Sequence, residues 1–577
     1  LTAGSTINGP ALLLDPNSTL VIEKDWTLTA KPDGFFELQQ SDSNKHKSAL
    51  KEASEAVSNS KTSQSVELEL FTNRLTSIAE EMGEMLRRTA ISVNIKERLD
   101  FSCALLDADG YLVVNAPHIP VHLGALGLCV RRLKQSISIE PGDTLITNHP
   151  GYGGSHLPDV TVITPVFTED KQLIGFAASR AHHAEIGGSK PGSMPPDATS
   201  LAEEGVIIPP MHLIQHGKEC WQEMAALLQA GPYPSRAVEE NMADIRAAVA
   251  ANHRGVSKLL TLCERYGTEE IIHYMETLKQ YAAGKSKRRL HKLPEGKSES
   301  VEWLDDGTKL KVCITVDKHT ISFDFTGTDP VHPGNLNATA AIVQSVIMYV
   351  LRLLIDENLP LNEGLMEPVS VTLPQSLLNP PFQERDEQSP AIVGGNTEIS
   401  QRLTDLLLKP FRKAAASQGS MNNLLFGNSH FGYYETIGGG TGAGATFDGA
   451  DGVHQHMSNT RGTDPETLEK RYPVQIKSYA IRTESGGRGK YSGGNGISKR
   501  LLFKEPVSLS VLTQQRKKGP YGLDGGKNGS PGRQYIIRKD GSREELSSID
   551  GAEMNPGDQF IIETPGGGGF GKEKELT

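Results

Sequence analysis

The segment that most constrains this chain is a hairpin signature with glycine-broken polar loops at both ends. Asn148-His-Pro-Gly-Tyr-Gly-Gly-Ser-His-Leu-Pro-Asp159 leads into an apolar run at 160–167. The turn cluster Thr168-Glu-Asp-Lys-Gln172, a second apolar run at 173–178, and Ser179-Arg-Ala-His-His-Ala-Glu-Ile-Gly-Gly188 follow. Two apolar runs around a short polar cluster read as an antiparallel hairpin. Such a pairing sets the loop before the first strand beside the loop after the second. With the turn centred near Asp170, paired positions sum to about 340, and Asp159 faces Ala181 within one residue. His182 or His183 then lies roughly 5–8 Å from Asp159. The strict register puts His183 on the Asp159 face, and a slip of one residue selects His182.

His156 and Asp159 are three apart and would point to opposite faces of a regular strand. The glycines and Pro158 break that regularity, so both side chains can converge from a turn. Two imidazoles and a carboxylate with open positions suit Mn, Zn, Fe or a similar divalent ion. Such an ion can polarise a carbonyl or lower the pKa of a bound water to about 7. A lone loop histidine is more often a hydrogen-bonded structural residue. The cluster, bracketed by glycines at both strand ends, favours the metal.

Further constellations stand outside the hairpin. Lys96-Glu-Arg-Leu-Asp100 and Asn115-Ala-Pro-His-Ile-Pro-Val-His122 add Asp100, His118 and His122, which either neighbour the metal or serve structure. Arg98 is a substrate-binding candidate, or the partner of Asp100 in a structural ion pair. Gly394-Gly-Asn-Thr-Glu-Ile-Ser-Gln-Arg402 offers amide and guanidinium donors, with Asn396, Glu398 and Arg402 as substrate-binding candidates. Gly438-Gly-Gly-Thr-Gly-Ala-Gly444 is either an anion cradle or a set of tight turns. Val453-His-Gln-His456 places two histidines at i, i+2, as metal ligands or as structural residues.

At 577 residues the chain is expected to form about three or four folding units. Residues 1–40 read as a small β unit, 41–64 as a polar linker, and 65–571 as the main body. Phe71, Leu75, Ile78, Met82 and Met85 mark a helix by their spacing. Helical patterns recur at about 236–252 and 268–283, the second with Thr268 as its N-cap. A hairpin is expected at 309–316 and 320–325, and glycine-rich short strands after about 420. The class is therefore mixed α/β. A net charge of −11 argues against nucleic acid or anionic membrane as partner. The apolar run at 338–355 contains Gln344, Ser345 and Arg352 and reads as a buried helix rather than a membrane span. Five scattered cysteines without a CxxC pair point to a reducing cytoplasm. There is no GxxxxGK[ST], HExxH, GxSxG or strand-linked Rossmann fingerprint, so no ATP site is recognisable. The first residue is Leu1, and the chain is expected to be a fragment or a processed product.

At these residues the chain resembles the hydantoinase B/oxoprolinase family, over about residues 65–571. The likeness rests on "ERLDFSCALLDADG", "NAPHIPVHLGA", "NHPGYGGSHLPDVTVITPVF", "SRAHHAEIGGSKPGSMPP", "GNLNATAA", "GGNTEISQR", "NTRGTDPETLEKRYPV" and "TPGGGGFG". "HIPVHLGA" and "PGSMPP" resemble the ATP-dependent 5-oxoprolinase branch more than the ketone carboxylases. "INGPALLLDPNSTLVIEKDW", within residues 1–40, looks like the C-terminal end of a hydantoinase-A-like half. The resemblance implies a large multi-layer core and a division of labour. An A-type half or subunit binds ATP and Mg and phosphorylates the amide oxygen of 5-oxo-L-proline. The B-type half completes hydrolysis to L-glutamate at its metal site. His156, Asp159 and one of His182 or His183 are the implied ligands, with Asp100, His118 and His122 as pocket neighbours. A cytoplasmic oligomer acting on a small molecule is implied as well. The alternatives are the B subunit of an N-methylhydantoinase or ketone carboxylase, and an inactive truncated assembly module.

Overall fold

A computed structural model describes residues 1–573 except 16, 17, 25, 41–60, 123, 356–358, 360 and 384. It divides into two compact units, Leu1–Phe71 and Thr72–Thr577. The first holds a three-stranded antiparallel sheet of Thr6–Asn8, Trp26–Ala30 and Phe36–Gln40, with a hairpin of Ala11–Asp15 and Ser18–Ile22. Of the linker expected at 41–64, residues 41–60 lie outside the described set, and 61–64 open the helix Lys61–Thr89. The expected stripe is largely present, since Phe71, Leu75, Ile78 and Met82 are buried. Met85 is only half-buried, and Leu86 takes the buried place instead.

The second unit is built around a seven-stranded antiparallel sheet. Its order is Lys218–Glu219, Met211–Gln215, Thr144–Thr147, Asp159–Phe167, Leu173–His182, Phe101–Asp107 and Leu112–Asn115. The expected hairpin forms its centre and is buried on both faces. Helix Ala125–Ser136 packs Leu126, Cys129, Val130 and Leu133 against Leu145, Ile163 and Phe176 on one face. Helix Val238–Tyr266 lies along the hairpin as well, its Asn252 donating to Val162 O at 2.9 Å. Double coverage accounts for continuous apolar runs where a half-exposed sheet would alternate.

The following helix, Thr268–Leu290, takes Gly267 rather than Thr268 as its N-cap, and Thr268 is its first helical residue. The run at 338–355 forms the buried helix Ala340–Leu354, capped by Thr339 Oγ1 accepting from Ile342 N. No helix among the described residues is long and apolar enough to cross a membrane. The expected second hairpin, Lys309–Val316 with Ile321–Asp324, gains Gly296–Trp303 and a parallel strand, Val369–Thr372.

Beyond residue 420, four- and five-stranded sheets are linked by loops in which backbone crosses backbone. A Cβ on Gly440 would stand 1.9 Å from Gly494 O, and one on Gly567 1.9 Å from Thr441 O. That close approach, not a ligand, explains Gly438–Gly444. Its amides donate to Val453, Pro565, Ala450 and Gly568 carbonyls and to Ser417 Oγ, so the anion-cradle reading is set aside.

Candidate metal centre

A single bulge settles the histidine that the sequence leaves open. Paired positions sum to 340 at Leu173–Phe167 but to 341 from Gly175–Val166 onward. The extra residue, Ile174, shifts the register by one. His182 therefore lies directly opposite Asp159. His183 faces the other way, its Nδ1 3.0 Å from Asn241 Nδ2 on the covering helix, so it does not join the donor group.

His156 reaches the same point from the preceding turn, in which Asp159 N donates to His156 O at 3.1 Å. Its Nε2 lies 3.2 Å from Asp159 Oδ1, and His182 Nδ1 lies 3.3 Å from that oxygen. His122, at the end of the short turn Pro120–His122, places Nε2 3.2 Å from Asp159 Oδ2. Ser155 Oγ also donates to Oδ2, and Ser102 Oγ lies 2.9 Å from His122 Nδ1. All four of Asp159, His122, His156 and His182 are buried. Burial alone would raise the Asp159 pKa, but His156 and His122 outweigh it and hold the carboxyl well below its usual range. Burial lowers the His182 pKa, which keeps the ring neutral and its lone pair available.

One ligand atom from each of His156, Asp159 and His182 lies within 4.8 Å of the others. Two donors about 2.1 Å from one ion stand roughly 3.4 Å apart at a tetrahedral angle. The separations of 3.2 and 3.3 Å agree with that edge. Among the described residues, Asp159 Oδ1 and His182 Nε2 have no hydrogen-bond partner, so the buried carboxylate oxygen is free to ligate. The residues present fit a divalent cation.

The other candidates divide by distance from this centre. Asp100, His122 and Asn396 line a pocket with His182, Tyr434 and Thr436. Asn396 Nδ2 lies 3.0 Å from His156 Nε2. Tyr434 stacks on His182 with centroids 4.6 Å apart. Its hydroxyl donates to Asn423 Oδ1 at 2.9 Å, and Asn423 Nδ2 donates to Glu398 Oε1 at 2.7 Å. Glu398 thus supports the pocket wall from behind. Burial, partly offset by Ser420 and Met421, pushes its pKa up to about 7. Arg98 is fully buried and spent on Tyr434 O, Thr436 Oγ1, Thr460 Oγ1 and Arg461 O, so it braces the wall rather than pairing with Asp100. Arg402 donates to Glu302 Oε2 at 2.8 Å and to Trp303 O, partners that belong to no part of the pocket. His118 accepts from Cys103 N at 3.1 Å and packs edge-on against Phe101, with burial lowering its pKa to about 4. Sequence reasoning did not single out Ser102, Ser155, Asn423 or Tyr434. Ser155 and Ser102 stood inside quoted stretches, whereas nothing in local spacing marks Asn423 or Tyr434.

Glu204 steadies the segment that carries Asn396, accepting from Ile392 N at 2.8 Å and Val393 N at 2.9 Å. Burial pushes its pKa up to about 8, against the pull of those two amides. The folded state therefore holds a proton that the unfolded state releases above roughly pH 4.3. Its contribution is full below that pH and is lost as pH rises towards 8. Glu204→Gln should flatten the decline of stability between pH 5 and 8 by up to about 1 kcal/mol per pH unit, read by denaturant melts. Parallel curves for variant and wild type would refute this.

The family model for hydantoinase B/oxoprolinase matches residues 64–573. The chain is a member of the hydantoinase B/oxoprolinase family. This hydantoinase B/oxoprolinase chain is 42% identical to 5-oxoprolinase 1 of Arabidopsis thaliana, over 98% of its own length and 46% of that relative's. It is 41% identical to the 5-oxoprolinase of Saccharomyces cerevisiae, over 100% of its own length and 46% of the relative's. It thus spans about half the length of these curated relatives. The ATP-dependent caprolactamase of Pseudomonas jessenii shares the fold at TM-score 0.79 and 26% identity, with 88% of this chain and 91% of that one covered. The mixed α/β class with several sheets agrees with that neighbour.

Proposed function

We propose that this chain is the metal-dependent half of a 5-oxoprolinase, acting with an ATP-binding A-type half to open 5-oxo-L-proline to L-glutamate. The observation that carries the reading is the buried Asp159 carboxylate ringed by His122, His156 and His182. The 5-oxoprolinase relatives and the caprolactamase neighbour support a lactam as substrate over a ketone. Residues 1–40 are the end of the A-type half, and the body from about 65 is the B-type half.

A five-membered lactam is resonance-stabilised, and phosphorylating its oxygen in the partner half makes the carbon electrophilic. His156, Asp159 and His182 would hold a divalent cation, with His122 and Asp100 beside them. When bound, such an ion supplies Lewis-acid polarisation and acidifies water. This chain's own residues do the rest. Ser155 and His122 hold the Asp159 carboxylate, and Asn396 stands beside the His156 ring in the pocket lining. Tyr434 holds the His182 ring by stacking, and the Arg98 guanidinium, 4.8 Å from the Tyr434 centroid, fixes that wall. The near-complete burial of the cluster limits bulk water around these side chains.

His156→Ala should weaken metal binding at least about tenfold, measured by titration into EDTA-stripped protein. The functional test mixes the metal-loaded chain with an A-type subunit, ATP and 5-oxo-L-proline and measures glutamate. No glutamate from a folded, metal-loaded mixture, or bicarbonate-dependent ketone consumption instead, would overturn the proposal.

A further inference from the structure

The histidine pair at 454 and 456 leads to a second buried polar centre that shares no residue with the first. We propose that Asp405, His456 and Gln401 form a second divalent-cation site. His456 Nε2 lies 3.5 Å from Asp405 Oδ1, yet Nε2 makes no hydrogen bond. A hydrogen-bonded histidine and carboxylate would close to about 2.7–2.9 Å. The observed spacing instead matches the edge of roughly 3.4 Å between two ligands of one tetrahedral ion. The other ring nitrogen, Nδ1, lies 3.3 Å from Tyr349 Oη. In the tautomer whose Nδ1–H donates to that hydroxyl, Nε2 is a bare lone pair facing an anion, an arrangement that a cation between them relieves.

The neighbouring groups agree. Asp405 is 1% exposed; among the described residues its Oδ1 accepts from Ser417 N and its Oδ2 has no hydrogen-bond partner. Gln401 stands one helical turn earlier in Ser400–Leu408, on the same face as Asp405. Its Nε2 donates to Gln455 O at 3.1 Å, which holds the amide against the loop that carries His456, and its buried Oε1 is unpartnered. That group is a neutral oxygen donor of the kind divalent ions accept. His456 sits in the left-handed region, with φ +57. The next residues of this loop, Met457, Ser458 and Thr460, line the pocket of the first site. An ion at 405/456 would pin that wall to the helix Ser400–Leu408.

The test is zinc stoichiometry on the whole chain, stripped with EDTA, loaded with Zn²⁺ and desalted, read by elemental analysis and titration. The expected result is two equivalents for wild type and one for His182→Ala. Asp405→Asn should retain one equivalent and weaken the second at least tenfold. Gln401→Glu, which adds charge without removing a ligand, should tighten the second ion, and it keeps the test decisive should Asp405→Asn fail to fold. One equivalent in wild type that His182→Ala removes would overturn the proposal. So would Gln401→Glu isotherms superimposable on wild type, or a zinc-edge anomalous map with water alone between Asp405 and His456.

Discussion

Asp159→Ala will weaken metal binding by at least about a hundredfold, more than any single histidine replacement. The reason is its position: its two oxygens lie within 3.3 Å of nitrogens on His122, His156 and His182. Removing one imidazole leaves a carboxylate and other donors in place. Removing the carboxylate leaves imidazoles as the grouped donors, with Asp100 in the pocket lining but outside that group, so a dication there loses its nearest balancing charge. Asp159→Asn keeps the shape and loses the charge, so it should behave like the alanine variant. Titration with Zn²⁺ or Mn²⁺ reads the affinity directly. Melting adds a second reading, because an ion held at a hundred times its Kd stabilises the fold by about 2.7 kcal/mol. EDTA should lower the wild-type melting temperature by that linkage, and should lower it in both variants only by the share that an ion elsewhere in the chain contributes. Wild-type metal affinity at the first site in Asp159→Ala would end the assignment.

The largest effect on stability is expected at Lys499, away from any ligand. Lys499 Nζ pairs with Glu435 Oε2, each side chain 3% exposed. Lys499→Met strands a carboxylate in the core and should cost about 3–5 kcal/mol at neutral pH. Replacing Glu435 by leucine as well should recover most of that loss, since a matched apolar pair carries no uncompensated charge. The penalty should shrink at low pH. Protonation at low pH removes the stranded charge that makes burial costly. Urea melts of both variants at pH 5 and 8 check this. A Lys499→Met loss below about 1 kcal/mol at pH 8 would show that the pair is not buried as described. The consequence for the site is direct, because Glu435 follows Tyr434, whose ring stacks on His182.

Asp159, His156 and the central hairpin were legible because their information is local. The polar turn, the apolar runs and the glycines that free the loops from strand geometry all lie within residues 148–188. The helix stripe from Phe71 to Met82 and the buried run at 338–355 were legible for the same reason, since periodicity and length are properties of a short window. Arg98 and Arg402 show the opposite case. Nothing near them in sequence reveals that Tyr434, Thr436 and Thr460 absorb one guanidinium and Glu302 the other.

By itself, then, the amino-acid order determined the family this chain belongs to and the hairpin that carries the His–Asp cluster. Only the tertiary structure chose His182 over His183, because one bulged residue at Ile174 rotates every later side chain to the other face. It alone also set His122 against the Asp159 carboxylate, Asn396 against His156 and Tyr434 against His182. Contacts across such distances come from packing of sheets and helices against one another, which no periodicity along the chain records.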